Sequence, residues 1–153
     1  MTLALLFPAM TFRQIFCAVD FSRPSRAALR TASALARVSH GRLTVLFVSD
    51  PWLAAAGAAA HDARASSQQS RAALERFVRA VLPAGASRPR RVNSVVAVGK
   101  PAAEILRSAR RHRADLIVVG TRGMGRLKTL LLGTTAEGVL RRTRIPVLAV
   151  PVP

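Results

Sequence analysis

The chemistry most clearly written into this chain is the binding of an anion. Gly120-Thr121-Arg122-Gly123-Met124-Gly125 follows directly on the apolar run Leu116-Ile117-Val118-Val119, and nine residues separate Gly123 from Gly133-Thr134-Thr135. An apolar run that ends in glycines and then opens a helix is a common way to build a phosphate site. Glycine lets the backbone come close to an anion, and a helix N-terminus offers unpaired N–H groups and partial positive charge. A second polar group, Asp20, closes another apolar run, Ile15-Phe16-Cys17-Ala18-Val19. Groups for covalent or metal chemistry are not arranged in this way. His40, His61 and His112 lie apart without metal-ligand spacing, and the lone Cys17 sits inside an apolar run. Neither a nucleophile–base pair nor paired carboxylates flank the glycines.

The glycines do not follow the two best-known phosphate patterns. A Walker A loop requires Gly-Lys-Ser/Thr at its end, whereas Gly125 is followed by Arg126-Leu127. A dinucleotide fingerprint requires a third glycine where Lys128 stands, and it follows the first strand of its sheet rather than the fourth.

The elements that must position these groups are legible from periodicity. Short apolar runs alternate with helical patterns, the signature of strand-helix-strand units on a parallel sheet. Strands are expected at residues 15–19, 43–48, 91–98, 115–119 and 146–150, and helices at 25–38, 66–82, 102–112 and about 134–142. Ser22 is a candidate N-cap with Pro24 in the first turn, and Gly41 suits a left-handed position that stops that helix. Residues 52–65 could be helix or loop. The fold class expected is α/β: an open, doubly wound, five-stranded parallel sheet with helices on both faces. Ligands of such sheets bind beyond the carboxyl ends of the strands, where the strand order switches direction. If strands one and four are neighbours, Asp20 and the glycine loop face each other across that crevice.

With this context, Gly120-x2-Gly123-x9-Gly133-Thr134 resembles the nucleotide-binding signature of the universal stress protein family, G-x2-G-x9-G-[ST]. Val19-Asp20-Phe21-Ser22 is similar to that family's first-strand turn, Phe47-Val48 to the end of its second strand, Gly99-Lys100-Pro101 to the turn before its third helix, and Arg144-Ile145-Pro146-Val147-Leu148-Ala149-Val150 to its closing strand. The resemblance covers roughly residues 13–151 and points to the ATP-binding subgroup. It implies a Rossmann-like, adenine nucleotide alpha hydrolase-like fold and a site for ATP. Ala18, Val19 and Val48 would lie at the base, with Asp20 on the adenine or ribose side. Gly120 would approach the ribose, Arg122 and Gly123 would bracket the phosphates, and Gly133, Thr134 and Thr135 would supply N–H groups and a hydroxyl to them. Mg²⁺ or Mn²⁺ would accompany the phosphates, held mainly by phosphate oxygens and water. The family also implies a homodimer through the closing strand, whose apolar edge would otherwise be unprotected.

Each residue also has a plain structural reading. Asp20 could cap the turn into the first helix, Gly120 and Gly123 could serve only as turn glycines, and Thr134 could be a simple N-cap. Composition bounds the rest. At 153 residues the chain is expected to hold one domain, residues 13–153, behind an apolar N-terminal tail, residues 1–12, with Met1 or Met10 as the natural start. Half the residues are apolar, which excludes a disordered chain, and one cysteine excludes an internal disulfide and suits a reducing cytoplasm. No apolar run is long enough to span a bilayer, and no membrane partner is expected. The net charge is +17, carried almost wholly by arginines spread along the chain. With few aromatics and no tyrosine, the charge reads as solvated surface with a local role near phosphates, and nucleic acid is not the expected partner. The function expected is that of a cytoplasmic stress-response regulator or nucleotide sensor with at most slow ATP hydrolysis or autophosphorylation. The alternative is a nucleotide-free dimeric interaction module of the same fold.

Overall fold

A computed structural model describes residues 11–49, 51, 63–85, 88–121 and 132–151. Among them run five strands and four helices in alternation: β1 (Gln14–Val19), α1 (Arg23–Val38), β2 (Arg42–Ser49), α2 (Ala63–Val81), β3 (Val92–Val98), α3 (Pro101–Arg111), β4 (Leu116–Gly120), α4 (Thr134–Leu140) and β5 (Val147–Val150). The strands form one wholly parallel sheet in the order β3-β2-β1-β4-β5. The doubly wound α/β architecture expected from the alternation is the one observed. Element ends differ from the sequence reading by one to three residues. The segment at 52–65, left open between helix and loop, lies outside the described residues up to residue 62, and α2 begins at Ala63.

The sheet is central because its inner strands are apolar on both sides, as strands covered by helices on two faces must be. In β1, Ile15, Cys17 and Val19 point into one core with Ala28, Leu29 and Ala32 of α1 and Leu74 and Val78 of α2. Phe16 points into a second core with Ile105 and Ala109 of α3 and Ala136 and Val139 of α4. Each fully buried Leu or Ile of these layers contributes roughly 1.5–3 kcal/mol of transfer free energy. Cys17 is wholly buried, and that burial pushes its thiol well above the ordinary value, so it is a core residue rather than a nucleophile.

Helix ends explain several sequence signals and correct others. Ser22 is the N-cap of α1, its hydroxyl accepting the Ser25 N–H at 3.3 Å, with Pro24 in the first turn as expected. The left-handed residue that stops α1 is His40 (φ 52°), not Gly41. The His40 N–H donates to the Arg37 carbonyl and the Gly41 N–H to the Ala36 carbonyl, the paired bonds of a Schellman end. Gly41 is required for a different reason: a Cβ there would stand 3.0 Å from the carbonyl oxygens of Phe12 and Arg13. The same paired bonds close α3 at Arg113 (φ 52°). At α4 the N-cap is Gly133, which places Thr134 at the first helical position and removes it as a cap. Phe12, assigned to the tail by its sequence neighbours, packs half-buried against the α1–α2 core.

Candidate functional site

The strand order reverses between β1 and β4. The chain steps outward from β1 through β2 to β3, then returns to the other side of β1 to form β4 and β5. This is the switch point, and the carboxyl ends of β1 and β4 meet there. The register runs from Ile15 beside Leu116 to Cys17 beside Val118, and Asp20 and Thr121 follow the ends of the two strands. Asp20 and Gly120 therefore end neighbouring strands at the same edge of the sheet. The helices that follow β1, β3 and β4, namely α1, α3 and α4, all begin at this edge and direct their positive ends toward it.

Asp20 is held by its own turn. Its Oδ1 accepts the Ser22 N–H at 3.1 Å and the Ser22 hydroxyl hydrogen. This interaction supports the structural reading of Asp20, although Ser22 rather than Asp20 caps the helix. Between them Phe21 adopts φ 64°, a left-handed conformation that a bulky side chain rarely takes. The Phe21 ring compensates by stacking on Phe47, with centroids 4.4 Å apart, and by meeting Phe77 edge-on at 5.3 Å. The guanidinium of Arg26 lies 5.1 Å from the Phe77 ring. This aromatic group packs the turn that follows Asp20 against β2 and α2.

Gly120 is explained by packing. A Cβ there would stand 2.8 Å from both the backbone carbon and the Cβ of Pro24, in the first turn of α1. That hydrogen-for-methyl requirement lies on the α1 side of the sheet. Ala18 and Val48 lie on the opposite side, half-buried against the α3–α4 core. Val19 is buried among α1 and α2 residues, so only its backbone could meet a ligand. The sequence reading missed Ala97, which pairs in register with Val48 and joins the same half-buried group. Its place at the end of an apolar strand was the available signal.

The glycine loop itself is fastened at both ends. The Thr121 N–H donates to the Val150 carbonyl at 3.0 Å, and the Gly133 N–H donates to the Thr121 carbonyl at 2.6 Å. The start of α4 is thereby drawn against the end of β4, which brings Gly133, Thr134 and Thr135 to the edge that carries Asp20. Thr134 is exposed and Thr135 half-buried. Arg122, Gly123, Gly125, Arg126 and Lys128 lie outside the described residues. Among the described residues no group of three or more His, Cys, Asp or Glu side chains is placed to hold a metal ion. His112 sits at the end of α3, its Nδ1 2.9 Å from the Ser108 carbonyl and its ring 6.0 Å from that of Phe16. No described helix is long and apolar enough to cross a membrane.

Chemically, the carboxyl edge offers an apolar floor, the Asp20 carboxylate and backbone N–H groups at helix starts, with Glu104 and Glu137 in the first turns of α3 and α4. Comparison with known proteins shows the family and the fold. A universal stress protein of Thermus aquaticus is 33% identical over 139 residues, covering 91% of this chain and 98% of that protein. Among solved structures, MJ0577 of Methanocaldococcus jannaschii superposes with a TM-score of 0.77 at 23% identity, covering 94% of this chain and 98% of the other. A universal stress protein solved in complex with cAMP superposes with a TM-score of 0.70 at 23% identity, covering 92% and 98%. Residues 11–151 match the universal stress protein family as a whole, and with the parallel sheet and the signature glycines this establishes that the chain belongs to that family.

Proposed function

We propose that this chain binds ATP at the carboxyl edge and acts as a cytoplasmic stress-response regulator or nucleotide sensor. The observation that carries the reading is that Gly133, at the start of α4, is bonded to Thr121 at the end of β4, on the edge where β1 ends at Asp20. The similar universal stress protein that holds cAMP adds support for an adenine nucleotide of some kind. Ala18 and Val48 would take the base against their half-buried surface. Asp20 would accept a hydrogen bond from adenine or ribose through Oδ2, which has no partner among the described residues. Gly120 would pass close to the ribose. Arg122 and Gly123 would bracket the phosphates, and Gly133, Thr134 and Thr135 would donate to them. The donor set fits Mg²⁺ or Mn²⁺ only as a companion of the phosphates, held by phosphate oxygens and water, since the described residues assemble no ligand cluster. Hydrolysis or autophosphorylation at such a site would be slow.

Gly133→Asp is the informative variant. Gly133 has φ −70° and ψ 154°, which aspartate adopts freely, and aspartate is a favoured N-cap, so the fold is retained. Its carboxylate would compete for the N–H groups and repel phosphate. Affinity for ATP is expected to fall at least about tenfold, or 1.4 kcal/mol. Calorimetric titration with ATP and Mg²⁺ measures it. No saturable binding at millimolar ATP, or equal binding by the variant, defeats the proposal.

The second reading, a nucleotide-free interaction module, is favoured by two contacts: Ser22 satisfies one Asp20 oxygen, and Pro24 accounts for Gly120. Adenine nucleotide co-purifying with the protein separates the readings. Under either one we propose a homodimer through β5, a four-residue, half-exposed strand at the sheet edge. Light scattering should give twice the chain mass, and Val147→Lys with Ala149→Lys should return it to one.

A further inference from the structure

The arginines are dispersed in sequence, but the sheet sorts them. Each strand is led in by one. Leu43 pairs with Val92, which sets Arg42 beside Arg91, and the Leu43 N–H donates to the Arg91 carbonyl. Gln14 pairs with Arg42, and the Arg42 N–H donates to the Arg13 carbonyl, which sets Arg13 next. Ile15 pairs with Leu116 and Ile117 with Val147, and Arg113 and Arg144 each stand three residues before those strands, at the same amino edge. In sheet order the amino edge therefore carries Arg91, Arg42, Arg13, Arg113 and Arg144, all five exposed. None of them forms an ion pair with a described residue. Asp115 lies at this edge, but its two oxygens accept the Arg13 and Gln14 backbone N–H groups at 2.7 and 3.0 Å. The carboxyl ends of the helices also point this way, and their partial negative charge offsets only part of the row.

We infer that this amino edge is a docking surface for the phosphodiester backbone of nucleic acid. Neighbouring strands lie about 4.8 Å apart, so five positions span roughly 19 Å. That length faces a few successive phosphates of a duplex before the strand winds away from the edge. Guanidinium is the side chain best suited to phosphate oxygens, because its planar fork donates two parallel hydrogen bonds. An edge of guanidinium groups without ion-pair partners among the described residues suits a polyanion whose phosphates recur along its length. The row contains no aromatic side chain, so it holds the backbone and does not stack on bases. The edge is opposite the one proposed for ATP, and the inference does not depend on that proposal. It differs from the expectation, drawn from the dispersed sequence positions, that the charge is generic and nucleic acid an unexpected partner, and the experiment below decides between the two.

The test is fluorescence anisotropy of a short labelled DNA duplex, titrated with the full chain at several salt concentrations. The triple variant Arg42→Gln, Arg91→Gln, Arg144→Gln should lower the slope of log affinity against log salt by about 3, near 0.9 per phosphate contact. A control with the same charge change on the helices, Arg23→Gln, Arg30→Gln, Arg71→Gln, should leave the slope within 1 of the parent. Lysine at the three edge positions should restore it. Circular dichroism checks that each variant remains folded. Equal losses in the two triple variants would overturn the inference, as would salt-independent binding. Retention on phosphatidylserine vesicles without retention of the duplex would overturn it too.

Discussion

Gly120→Ala is expected to destabilise the protein by about 2 kcal/mol, within the usual cost of forcing a methyl group into a filled site, with or without nucleotide. The added Cβ would stand 2.8 Å from the Pro24 carbonyl carbon, 2.8 Å from the Pro24 Cβ and 3.0 Å from the Pro24 oxygen. These are backbone atoms and a rigid ring, so no side chain can rotate away. Nor can α1 retreat at low cost, because Ser22 caps it and Ala28, Leu29 and Ala32 are fully buried against the sheet. Urea unfolding should show a lower midpoint with an unchanged slope, the mark of lost stability without a change of unfolded state. An unchanged midpoint together with weaker ATP binding would refute the packing account and leave Gly120 as a ligand glycine. The expected result has a corollary for the site. Loss of nucleotide binding in a Gly120 variant would not by itself establish a ribose contact.

Phe21→Ala should cost more, about 3 kcal/mol, in the range of buried phenylalanine truncations with some relief for its partial exposure. The ring is one of three that interlock between the β1 turn, β2 and α2, and aromatic pairs add roughly 0.5–1.5 kcal/mol beyond the area they bury. The backbone gains nothing in exchange, since alanine at φ 64° is still left-handed. Phe21→Gly removes that strain as well as the ring, so it should be more stable than Phe21→Ala by about 1 kcal/mol. Because the same turn holds Asp20, both variants should also weaken ATP binding under the proposed function. A loss below 1 kcal/mol in Phe21→Ala would show that the rings touch without holding the turn.

The two results concern residues whose importance sequence reasoning assigned differently. Gly120 was singled out as a ligand glycine by its place in a signature, and its contact with Pro24 was invisible because the two lie far apart in the chain. Phe21 passed as an ordinary member of the Val19-Asp20-Phe21-Ser22 turn, since nothing in a sequence marks a phenylalanine as left-handed. Ser22 was legible, because capping is local: the hydroxyl and the N–H it serves are three residues apart. His40 was not, because either of two adjacent residues could end α1, and the choice fell to the close approach of Gly41 to the Phe12 and Arg13 carbonyls.

By itself, the sequence determined the alternation of strands and helices, the wholly parallel sheet and the family signature. Strand-length apolar runs and helical periodicity are properties of consecutive residues, and burial on one face or two is written in them. Tertiary structure alone decided three things. It put β4 beside β1, so that Asp20 and Gly133 share an edge. It turned Gly120 toward α1 while Ala18 and Val48 face α3 and α4, because successive residues of a strand point to opposite sides. It also gathered Arg91, Arg42, Arg13, Arg113 and Arg144 at one edge. Their separation along the chain is set by the helices between them, but the edge they share is set by the order of the hydrogen-bonded strands they precede or begin.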